Sequence, residues 1–304
     1  MIAEYPDSTE LSLDLRPILH PKFQALPEGI SEFTFANIYL FRHTHNYRLS
    51  RLPNELLVIS GQDADNPFFM LPFGLPEEKF LRELFGQYGL MKAVSQSQAV
   101  VLSERGYSIA EDRNNFDYLY AREQLVHLTG RKFHRKKNLV NVFIRNNRCQ
   151  AKPLLEEYTD DALEVLEQWK IQLTEPGDYL AAREALQKMW VLQLCGGIFY
   201  IEGRPVAYCL GEELAQGKCF AIHFEKAVVE EKYTGIYQFI NQAFAAVLPE
   251  KYEIINREQD LGSLGLRQAK ESYSPIGFVK KYKAFMNNGA KVATLPSISL
   301  SLFL

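Results

Sequence analysis

The densest run of chemistry-bearing residues in this sequence is Ile254-Ile255-Asn256-Arg257-Glu258-Gln259-Asp260-Leu261-Gly262. Two amides, a guanidinium and two carboxylates stand within five positions, a set that suits binding an ammonium, holding an oxyanion or moving a proton. The run sits where a strand-like segment ends and a helix-like one begins. Ligands of α/β sheets gather at the carboxyl ends of strands, and a helix start offers free N–H groups to anions. Asp260 or Ser263 also suits a helix N-cap, which accounts for one side chain but not for Asn, Arg, Glu and Asp together. A second run, His223-Phe224-Glu225-Lys226, carries an apolar strand pattern into adjacent charges. Its carboxylate fits a general base or an amine ligand, or else an exposed ion pair of little energetic worth. A third, Gly130-Arg131-Lys132-Phe133-His134-Arg135-Lys136-Lys137-Asn138, has five Lys or Arg in seven positions. Such a run neutralises phosphates or simply solvates a helix face.

Other chemistries find no pattern. His43 and His45 are two apart on an expected helix and share no face, there is no H-x-x-x-H pair, and no metal site is expected. No G-x-S-x-G elbow or Walker loop occurs. Lys232-Tyr233-Thr234-Gly235-Ile236-Tyr237 sets a glycine at a helix start, a degenerate form of an acyl-CoA pyrophosphate loop. Cys149, Cys195, Cys209 and Cys219 form no C-x-x-C pair and read as reduced thiols, two of them in apolar strand-like runs. The net charge of -3 argues against a generally basic nucleic-acid coat, though not against a local basic patch. No apolar run approaches the ~18–20 residues of a membrane span. MIAEYPDSTE lacks the basic-then-apolar pattern of a leader, so a cytoplasmic location is expected.

The 304 residues, 47% hydrophobic, suit two domains with real cores. In the first half, apolar spacing predicts helices over Phe33–Arg42 and Glu77–Tyr88, the latter stopped by Gly89. Strands are expected at Leu56–Gly61, Pro67–Pro72, Ala99–Leu102 and Phe116–Tyr120. Leu128–Cys149 reads as a connecting helix and Pro153 as the boundary. The second half predicts helices Asp160–Leu173 and Tyr179–Leu194, then a hairpin of Gly197–Ile201 and Pro205–Leu210 around Glu202-Gly203-Arg204. A strand Lys218–Phe224, a helix Tyr233–Val247, a strand Tyr252–Asn256, a helix Ser263–Ser272 and a last strand Phe278–Phe285 follow. This order describes mixed sheets with helices on their faces, an α/β class fold. The halves are 1–150, including the basic connecting helix, and 151–304, carrying the candidate site.

Taken in order, His223-Phe224-Glu225-Lys226-Ala227, Gly235-Ile236-Tyr237-Gln238, Ile255 to Gly262, Gly265-Leu266-Arg267-Gln268-Ala269-Lys270-Glu271-Ser272-Tyr273-Ser274-Pro275 and the basic run Gly130–Asn138 form a specific series. They resemble the soluble C-terminal domain of bacterial phosphatidylglycerol lysyltransferases and their stand-alone relatives, from about Leu15 to Phe285. The resemblance implies a tandem pair of acyl-CoA N-acyltransferase (GNAT)-like folds related to the Fem-type aminoacyltransferases. It implies an acyl- or aminoacyltransferase using aminoacyl-tRNA or acyl-CoA as donor, with no further cofactor. The acceptor, a small molecule or a lipid headgroup, stays open. On that reading Glu225, Glu258 and Asp260 are the catalytic candidates, as ligands of an aminoacyl ammonium or as base. Asn256, Arg257, Arg267, Lys270 and Tyr273 are expected to bind substrate, with Arg257, Arg267 and Lys270 holding phosphate or a developing oxyanion. Arg131, Lys132, His134, Arg135, Lys136, Lys137 and Gly235 are expected to meet the tRNA or CoA phosphates. The rival expectation is a non-catalytic module of the same fold that binds an amino acid or a nucleotide-like ligand.

Overall fold

The computed structural model describes residues 1–172 and 177–287. Leu173, the expected end of one helix, and the stretch from 288 that the second half was taken to include lie outside the described residues. From the N-terminus come β1 (Thr9–Glu10), α1 (Arg16–Gln24), α2 (Phe35–Leu40), β2 (Arg48–Arg51), β3 (Leu57–Asp63), β4 (Asn66–Met70), α3 (Glu78–Tyr88), β5 (Leu90–Val94), α4 (Gln96–Glu104) and β6 (Ser108–Glu111). There follow β7 (Asp117–Ala121), α5 (Arg122–His127), α6 (His134–Asn146), β8 (Cys149–Pro153), α7 (Thr159–Ile171), α8 (Tyr179–Leu192), β9 (Cys195–Ile201) and β10 (Arg204–Leu214). The last elements are β11 (Cys219–Ala227), α9 (Ile236–Val247), β12 (Ile254–Asn256), α10 (Leu264–Glu271), β13 (Gly277–Val279) and β14 (Tyr282–Phe285).

The strands form two mixed seven-stranded sheets, ordered β1-β2-β3-β4-β5-β14-β6 and β13-β7-β12-β11-β10-β9-β8. The halves exchange strands. β7 lies between β12 and β13 in the second sheet, while β14 returns to the first sheet between β5 and β6. The expected last strand, Phe278–Phe285, is therefore two strands in two sheets, joined by Lys280 and Lys281. The expected break near residue 150 falls inside β8, the edge strand of the second sheet. Helices α1 and α2 share one buried core with α8 and the second sheet, through Leu19, Phe23, Phe35 and Ile38 against residues such as Leu186 and Met189. Each such large side chain contributes about 1.5–3 kcal/mol by its burial.

Local chemistry explains most elements. Glu202 and Gly203 both take positive φ, 52° and 79°, the two-residue turn that matches the twist of a β-hairpin. Ile236, Ile240 and Phe244 form the buried stripe of α9. Leu81, Leu84 and Phe85 do the same for α3, which Gly89 ends at φ 73°. One expected strand is a helix: Ala99–Leu102 belongs to α4. Ser95 and Gln98 close a reciprocal capping box there, and the i, i+3 pair Ala99 and Leu102 is buried while Val100 and Val101 face outward. The expected connecting helix is interrupted. Leu128 ends α5 in the left-handed region at φ 45°, a short 3-10 turn over Arg131–Phe133 follows, and Cys149 already begins β8.

Candidate active site

The site forms where two parallel strands part. β11 and β12 pair only over Cys219–Ala221 and Ile254–Asn256. β11 then continues to Ala227, whereas the chain beyond Asn256 turns away through Glu258 at φ 55°. A non-glycine residue in this region costs about 1–2 kcal/mol and persists only where its surroundings hold it. Here the Asn256 side chain holds it: Oδ1 accepts from the Glu258 N–H at 2.7 Å, and Nδ2 donates to Gly29 O (3.1 Å) and Asp117 Oδ2 (3.2 Å). Lys270 Nζ donates to the carbonyls of Arg257 and, at 2.5 Å, of Gln259. Burial pulls its ammonium down to about 8. Asn256 and Lys270, expected to bind substrate, are both buried and form the frame of the turn instead.

Inside the wedge lies a buried histidine between two carboxylates. Between Leu210↔Phe224 and Gly211↔Ile222 the β10–β11 register slips, leaving His223 as the extra residue of a β-bulge. Bulges re-aim side chains beside functional sites. His223 Nδ1 lies 2.7 Å from Glu258 Oε1 and Nε2 lies 3.0 Å from Glu212 Oε1. Burial opposes its charge, but the two carboxylates outweigh it and raise the imidazolium to about 10. His223 is therefore a fixed cation near neutral pH. Asn37 of α2 also faces Glu258 Oε1, at 3.5 Å, so both halves of the chain reach this point.

A second pair stands next to it. Arg257 donates from Nη2 to Glu225 Oε1 at 2.9 Å. Asn241 of α9, its amide oxygen turned to Arg257, accepts from Nη1 at 2.9 Å and Nε at 3.3 Å. The guanidinium lies 5.2 Å from the Tyr273 ring centroid, and Lys136 Nζ lies 4.3 Å from the same ring. The side chains of Glu225, Arg257 and Glu258 remain 12–18% exposed. Glu225 and Glu258 each use Oε1 alone; neither Oε2 has a hydrogen-bond partner among the described residues. Two partly solvated carboxylate oxygens, one beside the Arg257 guanidinium and one beside the His223 imidazolium, can hold an ammonium or take up a proton.

Asp260 stands apart from this chemistry. Its carboxylate, fully buried, accepts from Arg267 Nε and Nη2 (both 2.8 Å), Arg113 Nη1 (3.1 Å), the Tyr118 hydroxyl (2.7 Å) and the Gly262 N–H (2.8 Å). Burial alone would raise its pKa; the bonds from Arg267, Tyr118 and Gly262 hold it well below the usual carboxylate range. Every lone pair is committed, so Asp260 and Arg267 brace the turn into α10, where an ammonium ligand or base and a ligand of phosphate or a developing oxyanion were expected. Sequence reasoning missed Arg113, Tyr118 and Glu212. For Glu212 a signal existed: a carboxylate at the end of the apolar run Pro205–Leu210, although Glu213 beside it carries the same signal.

The basic segment divides. Arg131, Lys132, His134, Arg135 and Lys137 are exposed on the face of α6 and the turn before it, and Lys136 alone turns inward to Tyr273. Gly235 takes φ 92°, and a Cβ built on it would lie 2.3 Å from Leu139 O of α6. It is the glycine that lets α6 close on the start of α9. Among the described residues no group of three or more His, Cys, Asp or Glu side chains suits a metal ion, and no helix is long and apolar enough to cross a membrane.

The family described as "Phosphatidylglycerol lysyltransferase, C-terminal" matches this sequence over residues 23–285. The chain belongs to this family. Among solved structures, a conserved protein of unknown function from Bacteroides thetaiotaomicron is 27% identical, covering 94% of this chain and all of that one with a TM-score of 0.81. The L-PGS of Bacillus licheniformis covers 95% of both chains at 14% identity and a TM-score of 0.61. An uncharacterised Mycoplasmoides gallisepticum protein is 25% identical over 182 residues, and the match spans about half of each chain, 57% of this one and 56% of that relative. A tandem GNAT protein of clavulanic acid biosynthesis superposes with a TM-score of 0.51 at 8% identity. The lysyltransferase C-terminal family member described here thus has the tandem GNAT-like fold. Family and fold together indicate activity of acyl- or aminoacyltransferase type.

Proposed function

We propose that this protein transfers an aminoacyl group from aminoacyl-tRNA to an amine or hydroxyl acceptor. The observation that carries the reading is the pair of free carboxylate oxygens where β11 and β12 part, one on Glu225 beside Arg257 and one on Glu258 beside His223. An aminoacyl ester brings an ammonium for those oxygens, and a plain acyl-CoA does not. The exposed cations Arg131, Lys132, Arg135 and Lys137 suit a phosphate backbone running past the wedge. In the transfer step the acceptor nitrogen or oxygen attacks the ester carbonyl, and the bond to the tRNA ribose oxygen breaks. The acceptor proton passes to the leaving ribose oxygen, so the charges balance. His223, already protonated, cannot accept that proton and instead holds Glu258 in place.

A specific observation also favours a second reading, a ligand-binding module without turnover: each cation of the wedge already has an internal partner. The two part in one experiment. The protein is incubated with a pool of tRNA charged with labelled amino acids, with and without candidate amine, alcohol and lipid-headgroup acceptors. Transfer predicts loss of label from tRNA into product, abolished by Glu258→Gln. Stable retention of charged tRNA or free amino acid without product favours the module, and neither retention nor transfer contradicts both.

A further inference from the structure

Helix α1 carries a group of buried nitrogens that no part of the wedge explains. Arg16 and His20, four apart, share one helix face. Arg16 Nε and Nη2 and His20 Nε2 are each buried without a hydrogen-bond partner among the described residues, and His20 as a whole is only 7% exposed. Buried donors of this kind are costly to leave unmade, those of a charged group most of all. The Nε–Nη2 edge of a guanidinium is the planar fork that meets two oxygens of one carboxylate or phosphate. The acidic group whose charge acts on both residues is Glu212, whose Oε1 is taken by His223 Nε2, and the Gln193 side chain also faces His20.

We propose that Arg16 and His20 form an oxyanion-binding site, with the anion held side-on by Arg16 Nε and Nη2 and by His20 Nε2 as a third contact. Both residues precede the segment matched by the family, which begins at residue 23. Through Glu212 and His223 it lies two side chains from Glu258. A carboxylate of an amino acid or a phosphate of a headgroup or nucleotide supplies the same fork of oxygens, and the probes separate them.

The test is the melting temperature of the full chain against inorganic phosphate and, separately, acetate, with chloride at matched ionic strength as the baseline. A site predicts a saturable rise of about 2–5 °C at tenfold excess over Kd, and the anion giving the tighter saturation names the source. Arg16→Gln, and Arg16→Lys, which keeps the charge without the fork, should weaken binding at least about tenfold. Equal stabilisation of wild type and both variants overturns the site. Should the variants fail to fold, the arginine Nε–H resonances of the wild type decide: one that shifts saturably supports the site, and none shifting with either anion overturns it. No transfer activity enters the measurement, so the anion site and the proposed function stand or fall separately.

Discussion

Replacing His223 with Gln leaves two buried carboxylates facing each other. The side chains of Glu212 and Glu258 are 4% and 18% exposed, so little water replaces the lost cation. Removing one member of such a buried ionic group costs about 3–5 kcal/mol, with the lower part of that range favoured by the partial solvation of Glu258. For a chain of this size the loss amounts to a fall of about 6–20 °C in Tm. The pH dependence carries a sign of its own. The imidazolium is raised from its ordinary value to about 10, so its contribution is complete below pH ~6.5 and drains away as pH rises toward 10. Wild-type stability should fall across that window, and His223→Gln should lack that slope. Urea denaturation followed by tryptophan fluorescence at pH 6, 8 and 10 measures both. A variant within about 0.5 kcal/mol of wild type, with the same slope from pH 6 to 10, would refute the reasoning.

Two further outcomes follow from the frame around the wedge. Asp260→Asn removes the charge that Arg267 and Arg113 share. Their side chains are 26% and 34% exposed, which discounts the loss to about 2–4 kcal/mol, read as a lower urea midpoint at unchanged m-value. Because the Asp260 pKa is depressed, its contribution is present above pH ~4 and is lost only in stronger acid; wild type and variant should converge there. Gly235→Ala drives a methyl into Leu139 O and strains a φ of 92°, and should cost about 2 kcal/mol or more. If Gly235 instead contacted donor phosphates, stability would hold and donor binding alone would suffer.

Much of the second half was legible because its signals are local. The Glu202-Gly203 turn, the apolar stripe of α9 and the strand-to-helix polar run at Asn256–Gly262 can each be read from a window of a dozen residues. What was not legible depends on distant pairing. Nothing near Tyr282–Phe285 announces that β14 joins β5 and β6, nor does Asp117–Ala121 reveal that β7 pairs with β12. Ala99–Leu102 misled because four apolar residues fit a strand or a helix, and the deciding cap, Ser95 with Gln98, lies outside the run. At the site, the sequence marked residues that the fold brings together around the wedge, but not how they pair. Asn256, Asp260, Arg267 and Lys270 hold the turn, a division set by Arg113, Tyr118 and Asp117 from another part of the chain. Glu225, Arg257 and Glu258 remain partly open to solvent.

The central claim is that the free oxygens of Glu225 and Glu258 receive the ammonium of an aminoacyl ester. It is tested most directly by comparing aminoacyl-tRNA with its N-acetylated form, which keeps the ester and loses the charge. The account predicts that the protein draws the label from the first and leaves the second untouched, and that Glu258→Gln removes the difference by losing the activity. Equal consumption of both donors, or full activity in Glu258→Gln, would contradict it.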